Sequence, residues 1–188
     1  MSAFEYIKQY LLETKQIADC IDQGEVAAMV DALSKLKQEE GRLFILGVGG
    51  SAANASHAVN DFRKIAGIEA YAPTDNTAEL TARTNDEGWE YIFSQWLKTS
   101  KISAKDVLLV LSVGGGSAAA SMNIQYAVDL AKDHGAKVIG IVSRDGGYTK
   151  CKADTCVLVP VVADERITPH AESWQGVIWH LIVNALVA

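Results

Sequence analysis

Cysteine, proline and basic charge are all scarce in this chain of 188 residues. Its three cysteines, Cys20, Cys151 and Cys156, form an odd set without a CxxC pair. That excludes a disulfide framework and predicts reduced, mostly buried thiols. Two sulfurs at 151 and 156 are also too few for a zinc ribbon. Lysine and arginine number 17 against 23 acids, for a net charge of −6. No basic stripe marks a nucleic-acid surface, although a locally positive site for a small anionic substrate is compatible with an acidic whole. The longest strongly apolar stretch, Gly176 to Ala188, contains His180 and is too short to span a bilayer. Met1 to Gln9 holds Glu5 and Lys8 and lacks the apolar core of a signal peptide. A soluble cytoplasmic protein is therefore expected. With three prolines and no low-complexity tract or linker, residues 1–188 read as a single domain long enough to bury its own core.

What is present is an alternation of apolar periods. Phe4, Ile7, Tyr10, Leu11 and Ile17 lie at helical spacing, as do Val26, Met29, Val30, Leu33 and Leu36. These predict two helices within about residues 1–40 that have no obvious sheet partner and so pack on another subunit. Short continuous apolar runs follow at Leu43–Leu46, Val107–Leu111, Val138–Val142 and Cys156–Val159, with a fifth at Ile68–Ala72. Such runs suit buried parallel strands. Helical stretches are expected from Ser51 to about Ile65, from just after Ser117 to about His134, and from Pro169 to Val187. Strands alternating with helices imply an α/β fold with a mainly parallel sheet.

Two of these strands end in glycine and serine before a helix: Gly47-Val48-Gly49-Gly50-Ser51 and Ser112-Val113-Gly114-Gly115-Gly116-Ser117. Glycine lets a backbone approach a ligand and adopt positive φ, and free N–H groups at a helix start suit a phosphate. Ligands of open α/β sheets gather at the carboxyl ends of strands. Neither loop has the lysine of a Walker A motif. A dinucleotide fingerprint fits only if Ala52 replaces its third glycine, so no nucleotide cofactor is expected.

The stretch GVGGSAANASH, the loop LSVGGGS and the terminal segment HAESWQGVIWHLIVN together resemble the SIS (sugar isomerase) domain family, in particular its phosphoheptose isomerases. The resemblance implies a flavodoxin-like parallel sheet flanked by helices. It also implies a homotetramer with active sites between subunits, and interconversion of sedoheptulose 7-phosphate and a manno-heptose 7-phosphate. It implies one Zn2+ held by His57, Asp61, Glu172 and His180. Phosphosugar contacts are implied for Val48, Gly49, Gly50, Ser51, Asn85, Asp86, Ser112, Val113, Gly114, Ser117 and Glu172. The chain departs from the family pattern in places. Val48 replaces an asparagine, Asp61 a glutamate and Glu172 a glutamine, and the second loop lacks two hydroxyls and an amide. Backbone N–H donors exposed by glycine can replace lost hydroxyls.

The residues themselves bear on this chemistry. His57 and Asp61, four apart, share a helix face one turn apart; Glu172 and His180, eight apart, share a face roughly two turns apart. Imidazoles with carboxylates suit zinc and also accept nickel or manganese. An aldose–ketose isomerase needs a base to carry a proton between C1 and C2 and an acid at the oxygens; Asp61 is the candidate base and His180 the candidate acid. Each residue also has a plainer reading. His57 reads as an N–H donor near a helix start, Asp61 as a solvated helix carboxylate or an ion pair with Arg63 or Lys64, and His180 as a core histidine among Val177, Ile178, Trp179, Leu181 and Ile182. His170 is a spare ligand candidate, and His134 before Gly135 a cation at a helix C-terminus. Trp89, Trp96, Trp174 and Trp179 read as lying in helical stretches with aliphatic neighbours and suit core or subunit packing better than substrate stacking. Asp145-Gly146-Gly147 reads first as a turn. A non-catalytic phosphosugar sensor, a tetrameric adaptor, and an isomerase of another phosphosugar remain rival functions.

Overall fold

The computed structural model describes residues Met1–Ala188. Its five strands are β1 (Arg42–Leu46), β2 (Glu69–Tyr71), β3 (Val107–Leu111), β4 (Lys137–Val142) and β5 (Thr155–Leu158). All pairings are parallel, in the order β2-β1-β3-β4-β5. This is the flavodoxin-like order, whose switch point lies between β1 and β3, the strands that carry the two glycine loops. Leu43 pairs with Val107 and Leu109 with Ile139, so the apolar runs stack in register.

Side chains alternate across each strand and feed two separate cores. Leu43, Ile45, Leu109 and Ile139 face one side, where α2 (Gln23–Gln38), α3 (Gly50–Lys64) and α8 (Ile167–Ala185) contribute Met29, Leu33, Phe62, Trp179 and Ile182. Phe44, Leu46, Leu108 and Val110 face the other, under α5 (Ile92–Thr99) and α6 (Met122–Asp133), which contribute Phe93, Leu97, Ile124 and Val128. No helix is long and apolar enough to cross a membrane.

The first two helices part company. α1 (Ala3–Cys20) opens with a capping box, Ser2 Oγ accepting from Glu5 N and Glu5 Oε2 accepting from Ser2 N. It buries only Glu13 and Ile17 and leaves Phe4, Ile7, Leu11 and Leu12 exposed. α2 does have a partner in its own chain: Val26, Met29, Leu33 and Leu36 are spent on the first core. That corrects the expectation that both helices await another subunit.

Other expectations are corrected too. The helix expected just after Ser117 begins at Met122. Gly115, Gly116 and Ser121 have φ of 69°, 84° and 59°, outside any right-handed helix. α4 (Thr77–Asp86) was not anticipated, because it buries no residue and so shows no apolar stripe. The helical stretch expected around Trp96 is the short α5, whereas α7 (Gly147–Lys152) is too brief to show a helical period. The thiols are not mostly buried: Cys20 and Cys151 are exposed and Cys156 is half-buried. Burial, and then the charge of Glu25, push the Cys156 thiol up to about 11. Trp174 and Trp179 are buried and Trp96 meets Phe44 edge-on, but Trp89 lies in a turn and is 45% exposed.

Candidate active site

α3 starts directly after the first glycine loop. Gly49 is its N-cap at φ 63° and offers no side chain, so the first N–H groups of the helix are not capped by one. Gly47 must be glycine, because a Cβ there would sit 2.2 Å from the Ser51 carbonyl oxygen. From this start one stripe of α3 meets α8. A Cβ on Gly50 would touch the Glu172 carboxylate at 2.4 Å. Asn54 Nδ2 donates to Glu172 O at 2.8 Å and to Gln175 Oε1 at 3.0 Å. The His57 ring packs edge-on against Trp179 at 4.7 Å. Residues 50, 54, 57 and 61 are spaced as one helix face, and their partners advance along α8 in the same sense. The two helices therefore run side by side in one direction.

At the far end of that seam three side chains converge. Asp61 Oδ2 lies 3.7 Å from His57 Nε2 and 3.6 Å from His180 Nε2. One ligand atom from each of the three falls within 4.8 Å of the others. Asp61 is buried, while the two imidazoles keep 58% and 48% of their side-chain surface open, so the cluster has a wet outer side. The other Asp61 oxygen accepts from Asn60 Nδ2 at 2.7 Å. His180 Nδ1 is 2.6 Å from the Gly176 carbonyl. A carbonyl only accepts, so Nδ1 carries a proton and donates, and Nε2 is the nitrogen that faces Asp61.

His180 is thus no core histidine: it shares the exposed side of α8 with Val177 and Leu181. Nor does Asp61 pair with Arg63, whose Nη1 donates to Ala70 O.

Glu172 does not join the three. Its carboxylate lies over Gly50, and eight residues of helix, about 12 Å of rise, separate it from His180. His170, the spare candidate, is buried elsewhere, with Nε2 2.9 Å from Glu13 Oε2 and its ring stacked on Tyr10. Glu13 also receives Arg166 at 2.6 and 2.8 Å. Chiefly the Arg166 guanidinium holds the Glu13 carboxyl down to about 2. Asn85 and Asp86 sit at the exposed end of α4, where Asn85 Nδ2 donates to Asp86 Oδ1. His134 stands at the end of α6 with Nδ1 2.9 Å from Leu130 O, the C-terminal position expected of it.

The second loop lines a cavity of about 470 Å³. Ser112, Val113, Gly114 and Ser117 border it, together with Ser121, Arg144, Asp145 and Thr168. Of the first-loop residues, Val48 is half-buried and packed on the second core and Gly49 is exposed, while Ser51 is buried in the first turn of α3. Arg144 and Asn54 were missed by sequence reasoning. Asn54 could have been found from its place in the 50-54-57-61 spacing. Arg144 carried only the weak signal of a cation beside a Gly-Gly turn at a strand end.

The SIS domain family profile matches residues 5–143. The chain belongs to the SIS domain family. A phosphoheptose isomerase from Geotalea daltonii is 30% identical over 97% of this chain and 94% of its own. One from Helicobacter pylori is 28% identical over 95% and 92%. The structure of the Neisseria gonorrhoeae phosphoheptose isomerase superposes on this SIS domain with a TM-score of 0.84, at 27% identity and 98% coverage of both chains. The relatives are thus sugar-phosphate isomerase enzymes by name, and they match the SIS domain over nearly its whole length.

Proposed function

We propose that this SIS domain is a metal-dependent isomerase that converts sedoheptulose 7-phosphate to D-glycero-D-manno-heptose 7-phosphate through an enediol. The observation that carries the reading is the convergence of His57, Asp61 and His180 from two helices in a chain whose relatives are phosphoheptose isomerases.

The three side chains fit a zinc ion. Zinc–nitrogen and zinc–oxygen bonds of about 2.0–2.2 Å put two tetrahedral ligands about 3.4 Å apart, and the 3.6 and 3.7 Å separations here need only a small contraction. When bound, such an ion stabilises negative charge on neighbouring sugar oxygens. The Gly176 carbonyl fixes the His180 tautomer that offers Nε2. Glu172, over Gly50, is better placed to act at the first loop than as a ligand of the same ion.

Asp61 is the base that moves the proton between C1 and C2, and His180 the acid at the adjacent oxygen. With Nδ1 tied to a carbonyl, His180 has one nitrogen to offer. That nitrogen, Nε2, would either hold the metal or, when protonated, serve as the acid. The substrate phosphate occupies the second loop's cavity.

That cavity also bears on assembly. Thr168 on its wall precedes His180 by twelve residues of α8, about 18 Å of helix. A separation of that order supports a reading in which the cavity of one protomer serves the acid and imidazoles of another. The uncovered Phe4, Ile7, Leu11 and Leu12 on α1, and Val177 and Leu181 beside His180, support a homotetramer with sites between subunits. A phosphosugar substrate goes with a cytoplasmic location.

The test is to measure bound metal in the purified protein by elemental analysis and to follow C1/C2 proton exchange in heavy water. Sedoheptulose 7-phosphate and other ketose phosphates are compared, before and after chelation. Bound metal with chelator-sensitive exchange supports the enzyme. Phosphosugar binding without exchange supports the sensor.

A further inference from the structure

Resting on the isomerase reading, we propose that Arg144 is a phosphate-binding residue of the second loop's cavity and supplies the charge that this loop lacks. The hydroxyls there are partly committed. Ser112 Oγ accepts from Gly115 N at 3.0 Å, and Ser117 Oγ accepts from Ala120 N at 3.1 Å. Val113 and Gly114 bring no polar side chain. A phosphate monoester carries up to two negative charges, and Arg144 is the one cationic side chain on the cavity wall.

Arg144 is exposed at the cavity mouth and is held in place by its backbone, with its guanidinium free of partners within the chain. Ser143, before it, donates from N to Val113 O at 3.0 Å and from Oγ to Val159 O at 2.8 Å. After it, Tyr148 N and Thr149 N donate to Gly116 O and Gly115 O, each at 2.9 Å. A Cβ on Gly115 would stand 1.9 Å from Gly146 O, and one on Gly147 2.1 Å from Gly114 O. The two turns are therefore interlocked, backbone on backbone. Arg144 occupies the corner between them at φ 56°, a left-handed conformation costly for a side chain of this size. Its Cδ lies 3.9 Å from the position of a Gly114 Cβ, so the stem follows the loop toward the cavity. A forked guanidinium matches a phosphate in geometry as well as charge. The one acid on the wall, Asp145, accepts from Gly147 N at 3.1 Å, within its own turn.

Calorimetry with inorganic phosphate, alongside isomerase kinetics, tests this on the intact protein. Arg144→Gln should weaken phosphate binding about 10- to 100-fold, the range for one charged hydrogen-bonding group. It should raise KM for the ketose phosphate comparably and leave kcat within a few-fold. Arg144→Lys should fall between. Arg144→Gly, which relaxes the left-handed corner, should lose binding equally while its melting temperature holds or rises; that separates lost contact from lost fold. Unchanged phosphate affinity in Arg144→Gln, or no phosphate uptake by the wild type, overturns the inference. If phosphate binding depends on Arg144 but no ketose phosphate exchanges a proton, the isomerase reading fails and the Arg144 site stands.

Discussion

The Asp61 carboxylate and the His180 imidazole, from helices more than a hundred residues apart in the sequence, face each other across 3.6 Å. Asp61 is buried and His180 half-exposed, so the pair joins an acid shielded from water to a ring open to it. The parallel run of α3 beside α8 makes the meeting possible.

The pair leads to a kinetic prediction. Asp61→Asn and His180→Ala should each lower turnover by about 10²- to 10⁴-fold, the loss expected when a general acid or base is removed. Both variants should keep the wild-type circular dichroism spectrum, because neither side chain belongs to a core. Near-full activity in both, measured by proton exchange at C2, would remove them from the reaction.

Glu13 gives a prediction about acid stability. Its carboxyl titrates near 4.5 when free and is held down to about 2 in the fold, first of all by Arg166. A carboxylate with a depressed folded pKa adds stability that is fully present above the unfolded value and fades as pH falls through the folded one. The wild type should therefore lose this contribution between about pH 4.5 and pH 2. Glu13→Gln should be less stable at pH 7 by about 2 kcal/mol, since it removes the charged acceptor shared by the half-buried Arg166 and the buried His170 and leaves Arg166 only Glu165. The gap between the two proteins should narrow toward pH 2. Urea unfolding of both at several pH values reads this directly, and a gap that stays constant with pH would contradict it.

Two glycines separate a functional constraint from a structural one. Gly115→Ala forces a left-handed alanine Cβ to within 1.9 Å of the Gly146 carbonyl oxygen, backbone against backbone. It should cost about 3 kcal/mol or prevent folding. Gly50→Ala meets only the end of the flexible Glu172 side chain, at 2.4 Å. It should cost less than about 1 kcal/mol and, if Glu172 serves the site, lower activity. Thermal melts paired with turnover distinguish the two; a Gly50→Ala protein that is stable and fully active would take Glu172 out of the site.

Much of the fold was legible in the residues. The runs Leu43–Leu46, Val107–Leu111 and Val138–Val142 are strands because a strand covered on both faces needs apolar side chains at every position. The spacing of His57 and Asp61 places them on one face wherever their helix goes. The left-handed corners at Gly115, Gly116 and Ser121 hid the true start of α6, and the polar surface of α4 hid that helix altogether.

By itself the sequence determined the alternation of strands and helices, the two glycine turns at strand ends, and the kinds of side chain able to bind a metal and move a proton. These depend on periods of a few residues and on local backbone freedom. Tertiary structure alone decided that His180 meets Asp61 while Glu172 leans on Gly50, that His170 is taken by Glu13, and that Arg144 borders the second loop. Those outcomes depend on which faces of distant elements pack together, and a helix period says which residues share a face without saying what that face will meet.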